Sequence, residues 1–364
     1  MMLGSPRTRL DRLTRARELL GASAVDALLL QKAENRRYVT GFTGSAGLAL
    51  LTAAEAWLAV DFRYEEQAES EASGWTIVRG GRDPLGALAA TLRDRAPGRV
   101  GFESEFVPYA QVERLREKLA PADLVPLADV DRIRWVKDAD EVAAIARATE
   151  IADAAYRQIC EQLRPGLRER AVALEMEIAM RRMGAERLAF DMVLASGPRS
   201  ALPHGRATDR AIGADELVTL DFGAVWHGYC SDCTRTVVRG HAGERQRRVY
   251  DVVVEALDAA LAMLRPGVVC RDADSRARAI IAAAGFGEAF GHSLGHGVGL
   301  DVHEGPRLSQ QDETVLEPGM VLTVEPGIYL PGWGGVRVEE LVVLTEDGCR
   351  VLTRAPRDLH LATV

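Results

Sequence analysis

The sequence predicts two domains: an α/β domain with a mixed sheet and flanking helices over residues 1–133, then an α+β domain over residues 134–364 built from two related halves. Three observations carry this reading. Short apolar runs alternate with helical patterns through the first domain, as expected of a sheet covered by helices. A capping box, Asp138-Ala-Asp-Glu141, opens a long helical pattern just past the boundary. Beyond it, a helix–helix–strand pattern recurs roughly a hundred residues later.

In the first domain, a basic amphipathic pattern gives a helix over 8–20, followed by the apolar strand AVDALLL at 24–30 and strands at 48–52 and 57–61. Helices at 84–95 and 108–119 surround a short strand at 99–102. The segment Gly41-Phe42-Thr43-Gly44-Ser45-Ala46-Gly47 lacks the G-x-G-x-x-G spacing of a dinucleotide site, so it reads as a tight loop facing a partner. In the second domain, the helix opened at Asp138 ends at Arg164-Pro165-Gly166. The same tripeptide returns as Arg265-Pro266-Gly267, again between helical patterns, and the following helices run into Gly184 and Gly285.

The echo reaches chemistry-bearing residues. LVTLDFG at 217–223 matches MVLTVEPG at 320–327, pairing Asp221 with Glu325, and Asp232 pairs with Glu339 in the same way. His296 stands between these pairs in HSLGHGVGLDVHE. Their apolar flanks carry four carboxylates and one imidazole toward the interior, where like charges repel and take up protons unless cations neutralise them. A metal site with two ions resolves this. Oxygen-rich ligation with one imidazole suits Mn2+ ahead of Co2+ and Zn2+. Two such ions would activate water near neutral pH and hold a developing oxyanion, which points to hydrolysis of a carbonyl or phosphoryl compound.

Asp221 and Asp232 flank the turn Trp226-His227-Gly228-Tyr229, as two strands of a hairpin would. In VRVEELVVL, alternation puts Arg337, Glu339 and Leu341 on one face and Val338, Glu340 and Val342 on the other, so only one glutamate faces inward. Alternation leaves the choice open; the repeat favours Glu339. The glycines around His292 and His296 make a helix unfavourable, and H-E-x-x-H is absent, which argues against a zincin; they let the backbone pass close to metal and substrate. His204 and His303, in Gly/Pro-rich surroundings near these motifs, read as substrate contacts. Cys230-Ser231-Asp232-Cys233 is a lone C-x-x-C after a strand, expected to be two thiols on opposite faces of a strand that presents Asp232.

Composition narrows the class further. The 364 residues carry a net charge of −8, with 47% hydrophobic residues, which argues against a nucleic-acid footprint. No apolar run reaches the roughly 20 residues of a membrane span, and the N-terminus lacks a secretory apolar core. The five cysteines are odd in number and scattered, as in a reducing compartment. A cytoplasmic protein acting on a small substrate is expected.

Five motifs in order, SGPRSALPHG, LDFGAVWHGYCSDCTRT, HSLGHGVGLDVHE, VEPGIYL and GGVRVEE, resemble the pita-bread metallopeptidases: prolidase, aminopeptidase P and, more distantly, methionine aminopeptidase. The resemblance spans nearly the whole chain. It implies that Asp221 chelates one metal, Asp232 and Glu339 bridge two, and His296 and Glu325 bind the second, with Glu325 also taking the proton from the attacking water. It implies that His204 and His303 contact and polarise the scissile carbonyl, and that His292 and Arg337 orient substrate. The implied substrate is a peptide with proline at its second position, and the implied assembly is a homodimer. NRRYVTGFTGSAG and DFRYEEQA resemble aminopeptidase P more than prolidase, so removal of an N-terminal residue before proline is the leading expectation, with Xaa-Pro dipeptidase as the alternative. A peptide-binding module without activity is a third reading, opposed by the full ligand set. The domain that precedes the motifs speaks against methionine aminopeptidase.

Overall fold

The computed structural model describes residues 6–93 and 95–361, which fold as two compact units divided between Arg134 and Trp135. The first unit is a six-stranded mixed sheet in the order Thr76–Arg79, Ala56–Val60, Leu48–Thr52, Ala27–Leu30, Arg99–Glu103, Asp123–Leu127. Ala27–Leu30 is its buried centre, antiparallel to Leu48–Thr52 and parallel to Arg99–Glu103. Helices Pro84–Arg93 and Tyr109–Leu119 turn Leu88, Leu92, Leu115 and Leu119 onto the sheet as spaced apolar faces.

Several elements of this unit escape a pattern reading, among them two strands and a helix. Thr76–Arg79 and Asp123–Leu127 are the two edge strands and bury almost nothing, so neither shows the alternation of a half-buried strand; Pro126 is tolerated because the edge needs no second ladder. The helix Ala33–Thr40 buries Asn35 and Arg36, polar residues that hide its inward face. Its Arg36 guanidinium donates to the carbonyls of Gln31, Gly44 and Gly47, at 3.1, 2.7 and 2.9 Å. The glycine-rich loop is therefore held from inside by a cation that satisfies its carbonyls.

The second unit opens with the capping box: Asp138 accepts from the Glu141 backbone, Glu141 from that of Asp138, and the helix Ala139–Gln162 follows. Ile145, Ala148, Ile151, Ala152, Ala155, Tyr156 and Ile159 form its buried stripe, and the Tyr156 ring stacks on Phe222 at 5.3 Å. Helix Glu169–Arg182 completes this layer over a sheet containing Val193–Ser196, Leu217–Phe222 and Cys233–Arg239. Helices Glu244–Met263 and Cys270–Ala283 pack over a second core that includes Leu322, Val324, Val336, Val338 and Val342. The strand Val321–Val324 lies there antiparallel to Glu340–Leu344. Both cores thus press helices against the back of strands whose ends carry the carboxylates.

Candidate metal centre

The predicted hairpin is real but bent. Leu217–Phe222 pairs with Cys233–Arg239, with Asp221 opposite Thr234, and the chain between them forms a second small ladder, Ala224–Trp226 against Tyr229–Cys230. His227 and Gly228 have φ of 48° and 78°, the left-handed pair of a two-residue turn whose twist suits a hairpin. At the corner, a Cβ on Gly223 would lie 2.1 Å from the Ser231 carbonyl, so only glycine lets the arms close. Asp232 lies in the link between strands, not on a strand with thiols on either side as the sequence suggested. Cys230 and Cys233 are buried, and burial pushes the Cys230 thiol up to about 12 and that of Cys233 in the same direction. These are inert core groups.

Asp221, Asp232 and Glu339 each offer an oxygen within 4.8 Å of the others. Asp221 Oδ1 and Glu339 Oε1 are buried without a hydrogen-bond donor. Burial, then repulsion from Glu339, Asp221 and Glu325, drives the Asp232 carboxyl well above the usual carboxylate range; burial and the same neighbours do so for Glu339. The other oxygens are fixed: Arg337 Nη2 donates to Asp221 Oδ2 at 2.7 Å and the Thr234 hydroxyl donates to Glu339 Oε2 at 2.7 Å. Glu340 points to the opposite side and pairs with Arg235 at 3.0 Å and with Arg357.

His296 sits on the strand Gly295–Gly297, whose glycines are required by neighbouring backbone. A Cβ on Gly295 would meet the Thr323 carbonyl at 2.0 Å and one on Gly297 the Gly305 carbonyl at 2.2 Å, so the glycines permit close backbone packing. His296 Nδ1 bonds the Gly297 carbonyl at 3.0 Å and so carries the proton, leaving the Nε2 lone pair 3.4 Å from Glu325 Oε1 and 3.6 Å from Asp232 Oδ2. Burial holds this imidazole neutral, its pKa lowered to about 3. A lone pair facing carboxylates, with two carboxylate oxygens lacking a hydrogen-bond donor, is a donor set that fits divalent ions with oxygen and imidazole ligands.

The remaining candidates line the same cavity of about 580 Å³. His204 and His303 are exposed at its wall, the His303 ring edge-on to His296 at 4.4 Å between centroids. Arg337 is nearly fully committed to protein partners: besides Asp221, it donates to the Thr234 hydroxyl at 2.9 Å, the Tyr329 hydroxyl at 2.8 Å and the Pro203 carbonyl at 3.1 Å. Tyr329 also bonds His292 Nε2 at 2.9 Å, and burial lowers the His292 pKa to about 4. Thr234 and Tyr329 were not singled out from sequence, although both lie inside the quoted motifs. Their hydroxyls look like ordinary strand polarity until the partner strands are known.

Fold and site together define a metal-dependent hydrolase. Residues 143–346 match Metallopeptidase family M24 and residues 12–136 match the Creatinase/Prolidase N-terminal domain, so the chain belongs to the M24 metallopeptidases. It is 40% identical to an Xaa-Pro dipeptidase of Pyrococcus horikoshii over 94% of this chain and 96% of the relative. The solved structure of an Xaa-Pro dipeptidase from Bacillus anthracis superposes with a TM-score of 0.94 at 39% identity, covering 97% of this chain and 99% of the other. An X-Pro aminopeptidase from Thermotoga maritima gives 0.86 at 39% identity, covering 94% and 99%. Among the described residues, no helix is long and apolar enough to cross a membrane.

Proposed function

We propose that this chain is an Xaa-Pro dipeptidase that hydrolyses the bond between an N-terminal residue and proline, using two divalent ions, Mn2+ foremost. The cluster of buried carboxylates with orphaned oxygens carries the hydrolase reading. The relatives move the preference from the aminopeptidase expected from sequence to the dipeptidase. Asp221, Asp232, His296, Glu325 and Glu339 would hold the ions, which when bound would supply an activated water and positive charge for the developing oxyanion. Glu325 takes the water proton as hydroxide oxygen joins the acyl carbon, and that proton then passes to the proline nitrogen as the C–N bond breaks. His204 and His303 donate to the carbonyl oxygen as it gains charge. His292 borders the substrate, and Arg337 orients Asp221 rather than a substrate group.

The Thermotoga maritima likeness supports a second reading, an Xaa-Pro aminopeptidase acting on longer peptides. Manganese-supplemented hydrolysis of Ala-Pro beside Ala-Pro-Ala and a longer Xaa-Pro peptide, with Glu325→Ala as control, separates them. Cleavage confined to Ala-Pro supports the dipeptidase, and preference for the longer peptides supports the aminopeptidase. Absence of metal-dependent cleavage of all three overturns both. The homodimer belongs to the same proposal and is tested by sedimentation.

A further inference from the structure

Lys137 and Glu304 form a buried ion pair at 3.1 Å, with side chains 1% and 0% exposed, outside the carboxylate cluster. Burying two charges is costly unless geometry and further hydrogen bonds offset it, so the position of such a pair is informative. Glu304 follows His303 directly. Its Oε1 accepts the Asp301 backbone N–H at 3.0 Å, and a Cβ on Gly299 would lie 2.7 Å from both of its carboxylate oxygens. The carboxylate therefore fills the inside of the loop 299–304, whose outer edge presents the exposed His303 ring.

Lys137 belongs to a segment anchored on residues 319–320. Its ammonium also donates to the Trp135 carbonyl at 3.2 Å, its backbone N–H donates to the Gly319 carbonyl at 3.0 Å, and Val136 bridges Met320 just before the strand that leads to Glu325. The Trp135 ring lies so close to Gly305 that a Cβ there would be 2.2 Å away. An exposed histidine on a bent loop has little packing of its own to fix it; the pair supplies a fixed point underneath.

We propose that Lys137 and Glu304 are positioning residues for His303: the ion pair ties the loop that carries this histidine to the anchored segment 135–137 and thereby fixes its ring over the cavity. The inference rests on the peptidase reading for its kinetic consequence and on geometry alone for its structural one.

The test compares Lys137→Met, Glu304→Gln and the double variant, with kcat and KM for Ala-Pro measured per folded, metal-loaded molecule well below each melting temperature. Each single variant should melt earlier, and the double variant should recover because no charge is left unpaired. In all three, kcat should fall on the order of tenfold or more with KM and metal content unchanged, as for a misplaced catalytic group. Added to His303→Ala, Lys137→Met should lower kcat no further. A crystal structure of the double variant should show the His303 ring displaced from its 4.4 Å contact with His296. Wild-type kcat in the variants, effects that multiply with His303→Ala, or an unmoved His303 ring would overturn the proposal. If wild type cleaves no Xaa-Pro peptide, the peptidase reading fails, while the ring position still decides this one.

Discussion

Glu339 and Glu340 are neighbours with opposite fates: one turns an orphaned oxygen toward Asp221 and Asp232, and the other is neutralised by Arg235 and Arg357 on the far side. Glu339→Gln should abolish metal binding and activity while leaving metal-free stability equal or higher, because it removes the cost of holding that buried carboxyl protonated above the usual carboxylate range. Glu340→Gln should cost about 3 kcal/mol or more by stranding buried Arg235. Denaturant unfolding of both metal-free variants checks the contrast.

The metal-free protein should lose stability as pH rises toward neutrality. Burial raises the Glu325 carboxyl from 4.5 to about 7, so between those values the folded state binds more protons than the unfolded one. Its contribution is complete below pH 4.5 and lost as pH passes 7. Chelated wild type should therefore melt progressively earlier relative to chelated Glu325→Gln over this window. A constant difference between the two melting curves would contradict the assignment.

Arg337 and Tyr329 should differ in weight. Arg337→Met leaves the half-buried Asp221 without its cation and should cost about 2–3 kcal/mol with loss of activity. Tyr329→Phe removes the hydroxyl shared by Arg337 and His292 while Arg337 Nη1 keeps the Pro203 carbonyl, and should cost about 1–2 kcal/mol. Unfolding and turnover of the two variants decide the order.

Gly228 occupies a left-handed position at the tip of the aspartate hairpin. Gly228→Ala should destabilise by about 1 kcal/mol, seen as a lower unfolding midpoint with unchanged m-value.

Cys230→Ser combined with Cys233→Ser should leave metal content unchanged, because neither buried thiol belongs to the ligand cluster. Elemental analysis of the purified variant is the check; metal loss would assign the C-x-x-C a ligand role.

Much of this protein was legible in its sequence. The capping box, the central strands and the apolar helix faces are local patterns, and the five motifs place the carboxylates and histidines in order. Sequence alternation put Glu339 and Glu340 on opposite faces, but the expectation that only one faces inward fails: both are buried, because Arg235 and Arg357 neutralise Glu340 on its side while Thr234 holds Glu339 in the carboxylate cluster. The edge strands Thr76–Arg79 and Asp123–Leu127, the polar-faced helix Ala33–Thr40 and the Lys137–Glu304 pair were invisible for the same reason. Periodicity reports how one element meets solvent, whereas a buried charge or an edge is defined by which remote chain segment lies, or does not lie, against it.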